Sequence, residues 1–187
     1  MKKAKILIAL LIIIVFAILS IKIFIPKILM KIKEYELSKA DEVLIIGNYY
    51  KVEKRKLIEE KLLKLIDDKK EINRLKEIIF CNKIKKVDYY FGSYVIGTKM
   101  VTSIVYYNRK NNKYNGFEIW CDSGISLNKN VWVDVENSIM SKIYEEIITK
   151  EDIKNDLLEK DNGVVIRGDN WKEVFLYYKN LLKKNSD

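Results

Sequence analysis

The stretch FEIWCD, residues 117–122, decides the fold class because its residues alternate strictly along the chain. Successive side chains of a strand point to opposite faces, so Phe117, Ile119 and Cys121 would face one way and the residues between them the other. Residues 131–135, VWVDV, alternate in the same manner. Both stretches are therefore predicted to be strands with one buried face.

Two stretches upstream have the composition of strands. Residues 87–96 and 100–107 are rich in Val, Ile, Thr, Tyr and Phe, which strands favour. The polar residues 108–115 then lead as a loop into the stretch at 117. Strands that follow one another along the chain with short connections predict an antiparallel meander of about four strands.

Helical patterns lie on both sides of this meander. Residues 52–80 carry an apolar stripe at three-, four- and seven-residue spacing, which predicts helical structure with a break near Asp67. The stripe consists of Ile58, Leu62, Leu65, Ile72, Leu75 and Ile79. Stripes at 139–148 and 171–182 predict helices after the meander. We expect an α+β fold in which helices pack on the sheet.

Capping patterns mark two further helix starts. Ser38 and Asp41 fit a capping box ahead of a short apolar helix at 43–46. Thr149 and Asp152 fit a second capping box, ahead of a helix that begins near residue 150.

The stretch KILIALLIIIVFAILSIKIFIPK, residues 5–27, is almost free of polar side chains. With the stem of Lys22 bent toward lipid headgroups, its apolar part would measure about 30 Å as a helix, the thickness of a bilayer core. The sequence predicts an N-terminal transmembrane helix. The residues taken to anchor it are Ile6, Leu11, Phe16, Ile21 and Ile25.

The predicted organisation follows from that helix. Residues 1–27 form a signal-anchor with basic flanks, residues 28–41 a juxtamembrane helical stalk, and residues 42–187 a single α+β domain. A short basic N-terminus before one long domain predicts a single-pass protein of the cell membrane with its C-terminal domain outside the cytoplasm. The alternative is a secreted factor, because cleavage after Ala17 fits the small-residue rule of signal peptides.

The net charge of +9 is concentrated near the N-terminus. Residues 1–33 contain seven Lys and no acidic residue, which leaves 28 basic and 26 acidic residues in the rest of the chain. A nucleic-acid-binding protein would be expected to keep its positive charge on the folded surface. The distribution predicts no nucleic-acid partner.

The chain contains no histidine and two cysteines. This composition excludes Ser-His-Asp and Cys-His nucleophiles, zinc sites with histidine ligands and Cys₄ zinc sites. Residues 92–99, GSYVIGTK, depart from a phosphate-binding loop because Lys and Thr stand in the wrong order. We expect no metal, no cofactor and no nucleotide.

Aromatic and acidic residues of the predicted strands share one face. Trp120 and Trp132 lie on the side that also carries Glu118, Asp122 and Asp134. Such a face could bind a peptide or a glycan. The alternative is that a helix covers it and that the rings belong to the core. We call these five residues the tryptophan face.

The predicted function is binding without catalysis. The partners expected are the lipid bilayer and another membrane or envelope protein, with a role in envelope assembly, as an accessory protein or in immunity. The alternative is a carboxylate-dependent hydrolase of cell-wall glycan that uses Asp122, Asp134 and Glu136. In an exported domain a disulfide between Cys81 and Cys121 is feasible, and two buried thiols are the alternative.

Overall fold

The computed structural model describes residues 2–53, 55–89, 101–128, 130–160 and 170–185. The α-helices are α1 (Lys2–Ser38), α2 (Lys69–Phe80), α3 (Ile139–Glu146), α4 (Asn155–Lys160) and α5 (Trp171–Lys184). The strands are β1 (Glu42–Glu53), β2 (Lys56–Ile66), β3 (Ile84–Tyr89), β4 (Val101–Asn108), β5 (Lys113–Trp120), β6 (Gly124–Asn128) and β7 (Val131–Val135). A 3₁₀ turn, Lys150–Asp152, precedes α4.

The strands form one antiparallel sheet with the order β2-β1-β4-β5-β6-β7-β3. A long hairpin, β1–β2, makes one edge, and the meander β4 to β7 continues from β1. Helix α2 connects β2 at one edge of the sheet to β3 at the other. The fold is therefore α+β, with seven strands in the described sheet where about four were predicted.

The sheet carries helices on both faces. One face packs against α1, α2 and α3 around residues such as Leu37, Leu75 and Ile143. The opposite face packs against α4 and α5, where Val174 and Phe175 lie on Leu44 of β1. Because both sides are covered, several strands are buried on both faces.

The helix predicted over residues 52–80 is half wrong. Its second half is α2, which Asp68 caps by accepting hydrogen bonds from the backbone of Lys70 and Glu71. Its first half is strand β2. A four-residue spacing is also a multiple of two, so Ile58 and Leu62 lie on one face of a strand as well as on one face of a helix.

The short helix predicted at residues 43–46 is also wrong, because these residues belong to β1 and are all buried. Their burial on both faces removes the alternation that marks a half-exposed strand. Gly47 then allows close approach to β4, since a Cβ atom there would lie 2.5 Å from the Cα atom of Thr102.

The predicted strands of the meander correspond to β4, β5 and β7. Strand β6 was not predicted. Strand β3 pairs with β7 at the edge of the sheet, and not with β4, the next described strand in the chain. Of the strand predicted over 87–96, residues 90–96 lie outside the described residues. The second capping box forms at Thr149, and it starts the 3₁₀ turn rather than an α-helix.

The transmembrane prediction is contradicted by the structure. Among the residues described, no helix is both long enough and apolar enough to cross a bilayer. The apolar run is not a separate segment: α1 continues without a break to Ser38, and its C-terminal part enters the domain core through Met30 and Leu37. The transmembrane signal-anchor and the single-pass cell-membrane localisation are therefore wrong.

Two of the five predicted anchor residues have described side chains. Leu11 and Ile25 are 61% and 39% exposed, while the side chains of Ile6, Phe16 and Ile21 lie outside the described set. Helix α1 also passes through the predicted boundary at residue 27. The division of the chain at 27 and 41 stays a prediction.

Candidate binding site

The structure brings the two tryptophans of the tryptophan face together. Trp120 ends β5 and Trp132 lies in β7, and their ring centroids are 4.5 Å apart with perpendicular planes. This edge-to-face arrangement is a favourable contact between aromatic rings. The indole Nε1 of Trp120 also donates a hydrogen bond of 3.1 Å to Glu118 Oε2.

Glu118 is a buried carboxyl group, 6% exposed. Burial raises the pKa of Glu118 above its ordinary value, and the hydrogen bond from Trp120 opposes that shift only in part. A carboxyl group in this position resists ionisation because its charge would be poorly solvated. The burial of Glu118 and its bond to Trp120 indicate a structural role, and a role of Glu118 in binding stays a prediction.

Asp122 is engaged at the start of α3. Its carboxylate accepts hydrogen bonds from the Ser138 hydroxyl and from the backbone N–H of Ser141, the latter at 3.0 Å. Its backbone oxygen accepts from Ile139 and Met140 at 2.7 and 3.2 Å. These contacts satisfy donors that a helix N-terminus leaves open, so Asp122 holds α3 against the turn after β5.

The other two carboxylates of the predicted acid set lie nearby on or after β7. Asp134 pairs with Gly124 across the sheet and is half-buried. Glu136 follows the strand and is exposed. The Asp122 carboxylate is already bonded to α3. The described residues therefore show no arrangement of these three carboxylates that favours acid–base catalysis over binding. The hydrolase alternative stays a prediction.

The two cysteines are free and exposed in the structure. Cys81 caps the C-terminus of α2, and Cys121 lies in the turn after β5 with a positive φ of 54°. Cys121 therefore does not face inward as the alternation predicted. A disulfide between them stays a prediction.

A groove that the sequence did not indicate lies between α1 and the β4–β5 hairpin. We call it the α1 groove, and its volume is about 1180 Å³. Its α1 wall consists of Lys27, Ile28, Lys31, Ile32, Tyr35, Glu36 and Lys39. The facing residues are Asp41, Tyr106, Asn108, Lys110, Asn111, Lys113 and Asn115.

An apolar strip runs along the α1 wall of this groove. Ile28, Ile32 and Tyr35 are 56%, 45% and 64% exposed. They fall at four- and three-residue spacing, so they lie on one face of the helix. The Tyr35 ring lies 5.5 Å from the amine of Lys39, which is within the range of a cation–π contact.

Glu36 joins α1 to the sheet at the floor of the α1 groove. Its carboxylate accepts hydrogen bonds of 2.8 Å from the Tyr106 hydroxyl and 3.0 Å from Asn115 Nδ2. Burial, together with the negative charge of Glu36, raises the pKa of Tyr106 above its ordinary value. The network fixes one wall of the groove relative to the other.

Lys33 adds a second connection beside Glu36. Its amine donates a hydrogen bond of 3.0 Å to the backbone oxygen of Gly116 and lies 3.8 Å from the Glu36 carboxylate. Burial lowers the pKa of Lys33, and the charge of Glu36 opposes that shift. Lys33 is thus part of the scaffold rather than of the charged surface.

The rims of the groove are basic. Five lysines lie along it: Lys27, Lys31, Lys39, Lys110 and Lys113. The groove has two acidic lining residues, Glu36 and Asp41, and both accept hydrogen bonds. Glu36 accepts from Tyr106 and Asn115, as described, and Asp41 accepts a hydrogen bond of 2.7 Å from the backbone N–H of Arg109. The α1 groove therefore combines an apolar strip with an excess of positive charge.

The α1 wall of the groove is visible in the sequence as a run of alternating basic and apolar residues, and this pattern also fits a membrane-flanking segment. In the predicted organisation Lys27 belongs to the basic flank of the anchor, and Ile28, Lys31, Ile32 and Lys33 belong to the juxtamembrane stalk. Nothing in the sequence indicates that the loop at Lys110 returns to face them. Apart from Asp41, the opposite wall comes from a distant part of the chain, since Glu36 contacts Tyr106 and Asn115, which lie 70 and 79 positions further on.

Metal ligation and similarity to known proteins add no further assignment. Within the described ranges, no three His, Cys, Asp or Glu side chains are grouped so that they could hold a metal ion. Comparison of the chain with protein families, with curated proteins and with solved structures gave no match.

Proposed function

We propose that this protein is a non-catalytic binding protein that engages another protein through the α1 groove. The observation that carries the proposal is the exposed apolar strip of Ile28, Ile32 and Tyr35 between two walls that Glu36 holds in place. Exposed apolar surface with a polar rim is typical of protein interaction sites. An accessory role of this kind needs no reacting group.

The remainder of α1 supports the same proposal. Residues 10–15 are consecutive apolar residues, each between 46% and 64% exposed. Burying such surface is favourable by about 25 cal/mol per Å². A partner protein that covered α1 along its length would therefore gain affinity beyond the groove itself.

Photo-crosslinking from inside the groove tests the proposal. A photoreactive amino acid is placed at Ile32 of the full chain, in cells that make the protein, and at Asn73 on the exposed side of α2 as a matched control. We expect a discrete protein adduct at Ile32 that is absent at Asn73. The adduct should be lost when Lys31→Glu and Lys110→Glu are combined with the Ile32 probe.

Two results would overturn the proposal. One is the absence of any protein adduct at Ile32 when the folded protein is present at its normal level. The other is the same set of adducts at Ile32 and Asn73, since this would indicate collision rather than binding.

A further inference from the structure

We infer that the α1 groove receives an amphipathic helix of the partner protein, with acidic residues on both sides of its apolar stripe. This inference rests on the function proposed above and adds the conformation and the charge of the bound segment. The length of the groove, the backbone groups of its walls and its charge all support such a ligand.

The length of the wall suits a short helix. The α1 wall extends from Lys27 to Lys39, the residue after the end of the helix, and this stretch measures about 18 Å at 1.5 Å per residue. A partner helix of about three turns has the same length. Ile28, Ile32 and Tyr35 would contact its apolar side chains at three- and four-residue spacing, as in helix-in-groove recognition.

The backbone of the groove walls favours a helix over an extended peptide. Strand β4 is paired on both sides, with β1 and with β5, whereas β5 pairs with β6 only at Ile119 and Trp120 and its Gly116 oxygen is bonded to Lys33 of α1. The other wall is an α-helix, whose backbone groups bond to one another. Neither α1 nor β4 offers an extended peptide a free strand edge for its N–H and C=O groups, whereas a helix satisfies those groups internally.

Charge sets the composition of the bound helix. Lysines project from both walls: Lys27, Lys31 and Lys39 from α1, and Lys110 and Lys113 from the hairpin. Lys31 is paired with Glu34 at 2.6 Å and Lys113 lies 3.5 Å from Glu36, but five lysines against the two acidic lining residues, Glu36 and Asp41, still leave the groove with an excess of positive charge. Acidic residues on both flanks of an apolar stripe would match the two rims.

A synthetic peptide provides a defined probe. Its sixteen or so residues form a helix with Leu on one face and Glu on both flanks. Three control peptides are compared: one with the same composition in scrambled order, one with Lys in place of Glu, and polyglutamate. Binding to the full chain is measured by fluorescence anisotropy at low and high salt.

We expect the acidic helix to bind about ten-fold or more tightly than each control peptide, with weaker binding at high salt because the rim charges are screened. Lys31→Glu combined with Lys110→Glu should weaken binding of the acidic helix about ten-fold. The same double variant should bind the Lys peptide more tightly than the wild type does. The control variant combines Lys142→Glu with Lys172→Glu, an equal charge change on exposed parts of α3 and α5. Its affinities for the acidic helix and for the Lys peptide should equal those of the wild type.

Several results would overturn the inference. Equal binding of the scrambled peptide or of polyglutamate would remove the need for a helix. An unchanged affinity in the groove variant would place the binding elsewhere. Equal or tighter binding to vesicles of anionic lipid, lost in the same variant, would replace the protein ligand by a lipid. A protein adduct at Ile32 without peptide binding would refute only the helix, and the proposed function would stand.

Discussion

At the residue scale, Asp122 has the chemistry of a catalytic acid and the surroundings of a helix cap. Ser138, Ser141 and the backbone of Ile139 all donate to it. These bonds commit Asp122 to the start of α3, where it stabilises the fold.

We predict that Asp122→Ala lowers the free energy of unfolding by about 1–2 kcal/mol, because the Ser138 hydroxyl and the backbone N–H of Ser141 lose their acceptor. Asp122→Asn should remain within about 0.5 kcal/mol of the wild type, since the amide oxygen still accepts hydrogen bonds. Urea unfolding followed by circular dichroism measures both. Equal losses in the two variants would show that the charge, and not the cap, matters.

Glu118 provides a prediction for pH. Because burial raises its pKa in the folded state, its contribution to stability is complete below the ordinary carboxyl pKa and is lost as the pH rises through the raised value. Glu118→Gln removes the group that ionises. We therefore expect the variant to gain stability relative to the wild type between pH 4 and pH 7.

Thermal or urea unfolding across this pH range tests the Glu118 prediction. Glu136→Gln serves as the control because Glu136 is exposed, and its difference from the wild type should change little with pH. A stability difference for Glu118→Gln that stayed constant from pH 4 to pH 7 would contradict the assignment.

At the scale of elements, Pro26 shapes the way in which α1 docks on the sheet. Proline has no N–H, so the backbone oxygen four residues earlier, that of Lys22, receives no helical hydrogen bond from it. The Tyr89 hydroxyl of β3 donates to that same oxygen. One side chain thus satisfies the open acceptor and joins α1 to the edge strand.

We predict that Tyr89→Phe weakens this docking by about 0.5–1.5 kcal/mol, the usual value of one hydrogen bond. Hydrogen exchange of the backbone around residues 22–30 should become faster, while exchange in α5 stays the same. Tyr35→Phe is the control, because it keeps the ring that lies beside Lys39. Unaltered exchange in Tyr89→Phe would show that α1 is held by its apolar contacts alone.

Strand β2 shows why an apolar pattern is ambiguous at this scale. Leu62 and Leu63 are both fully buried, one on each face of the sheet. The hairpin turn before β2 also lacks the glycine that usually marks it, and Arg55 adopts a positive φ of 66° there. Without alternation or turn glycine, a four-residue spacing favours a helix.

At the scale of the whole molecule, one sheet separates two cores, and α5 closes the second of them. Phe175 is buried against Tyr107 and Tyr114, with ring centroids 6.1 and 5.4 Å away. The amine of Lys179 also forms an ion pair with the buried Glu42 of β1. Helix α5 is thus held by packing and by charge.

We predict that Phe175→Ala destabilises the protein by about 3–5 kcal/mol, the cost of a large cavity in a core. Leu176→Ala, at the adjacent position, should cost less than about 1 kcal/mol because Leu176 is 40% exposed. Urea unfolding measures the two values. Similar losses in both variants would mean that α5 is not packed as described.

The binding site is decided at this same scale. Glu36 contacts Tyr106 and Asn115, which lie 70 and 79 residues further along the chain. No local pattern encodes such a contact, and so the lysines of α1 could not be recognised as one wall of a groove. The tryptophan pair was more accessible to prediction, because alternation alone places Trp120 and Trp132 on one face.

The sequence by itself determined the strands β4, β5 and β7 and the helices α3 and α5. Strand β4 has the β-branched and aromatic composition of a strand, and the other four show a clear apolar period in the sequence. Only the tertiary structure decided that residues 43–46 and 58–66 are strands, because helices cover both faces of the sheet there and erase that period. It also decided that α1 is part of the domain and where its lysines face. Those outcomes depend on contacts between distant residues, which local pattern does not contain.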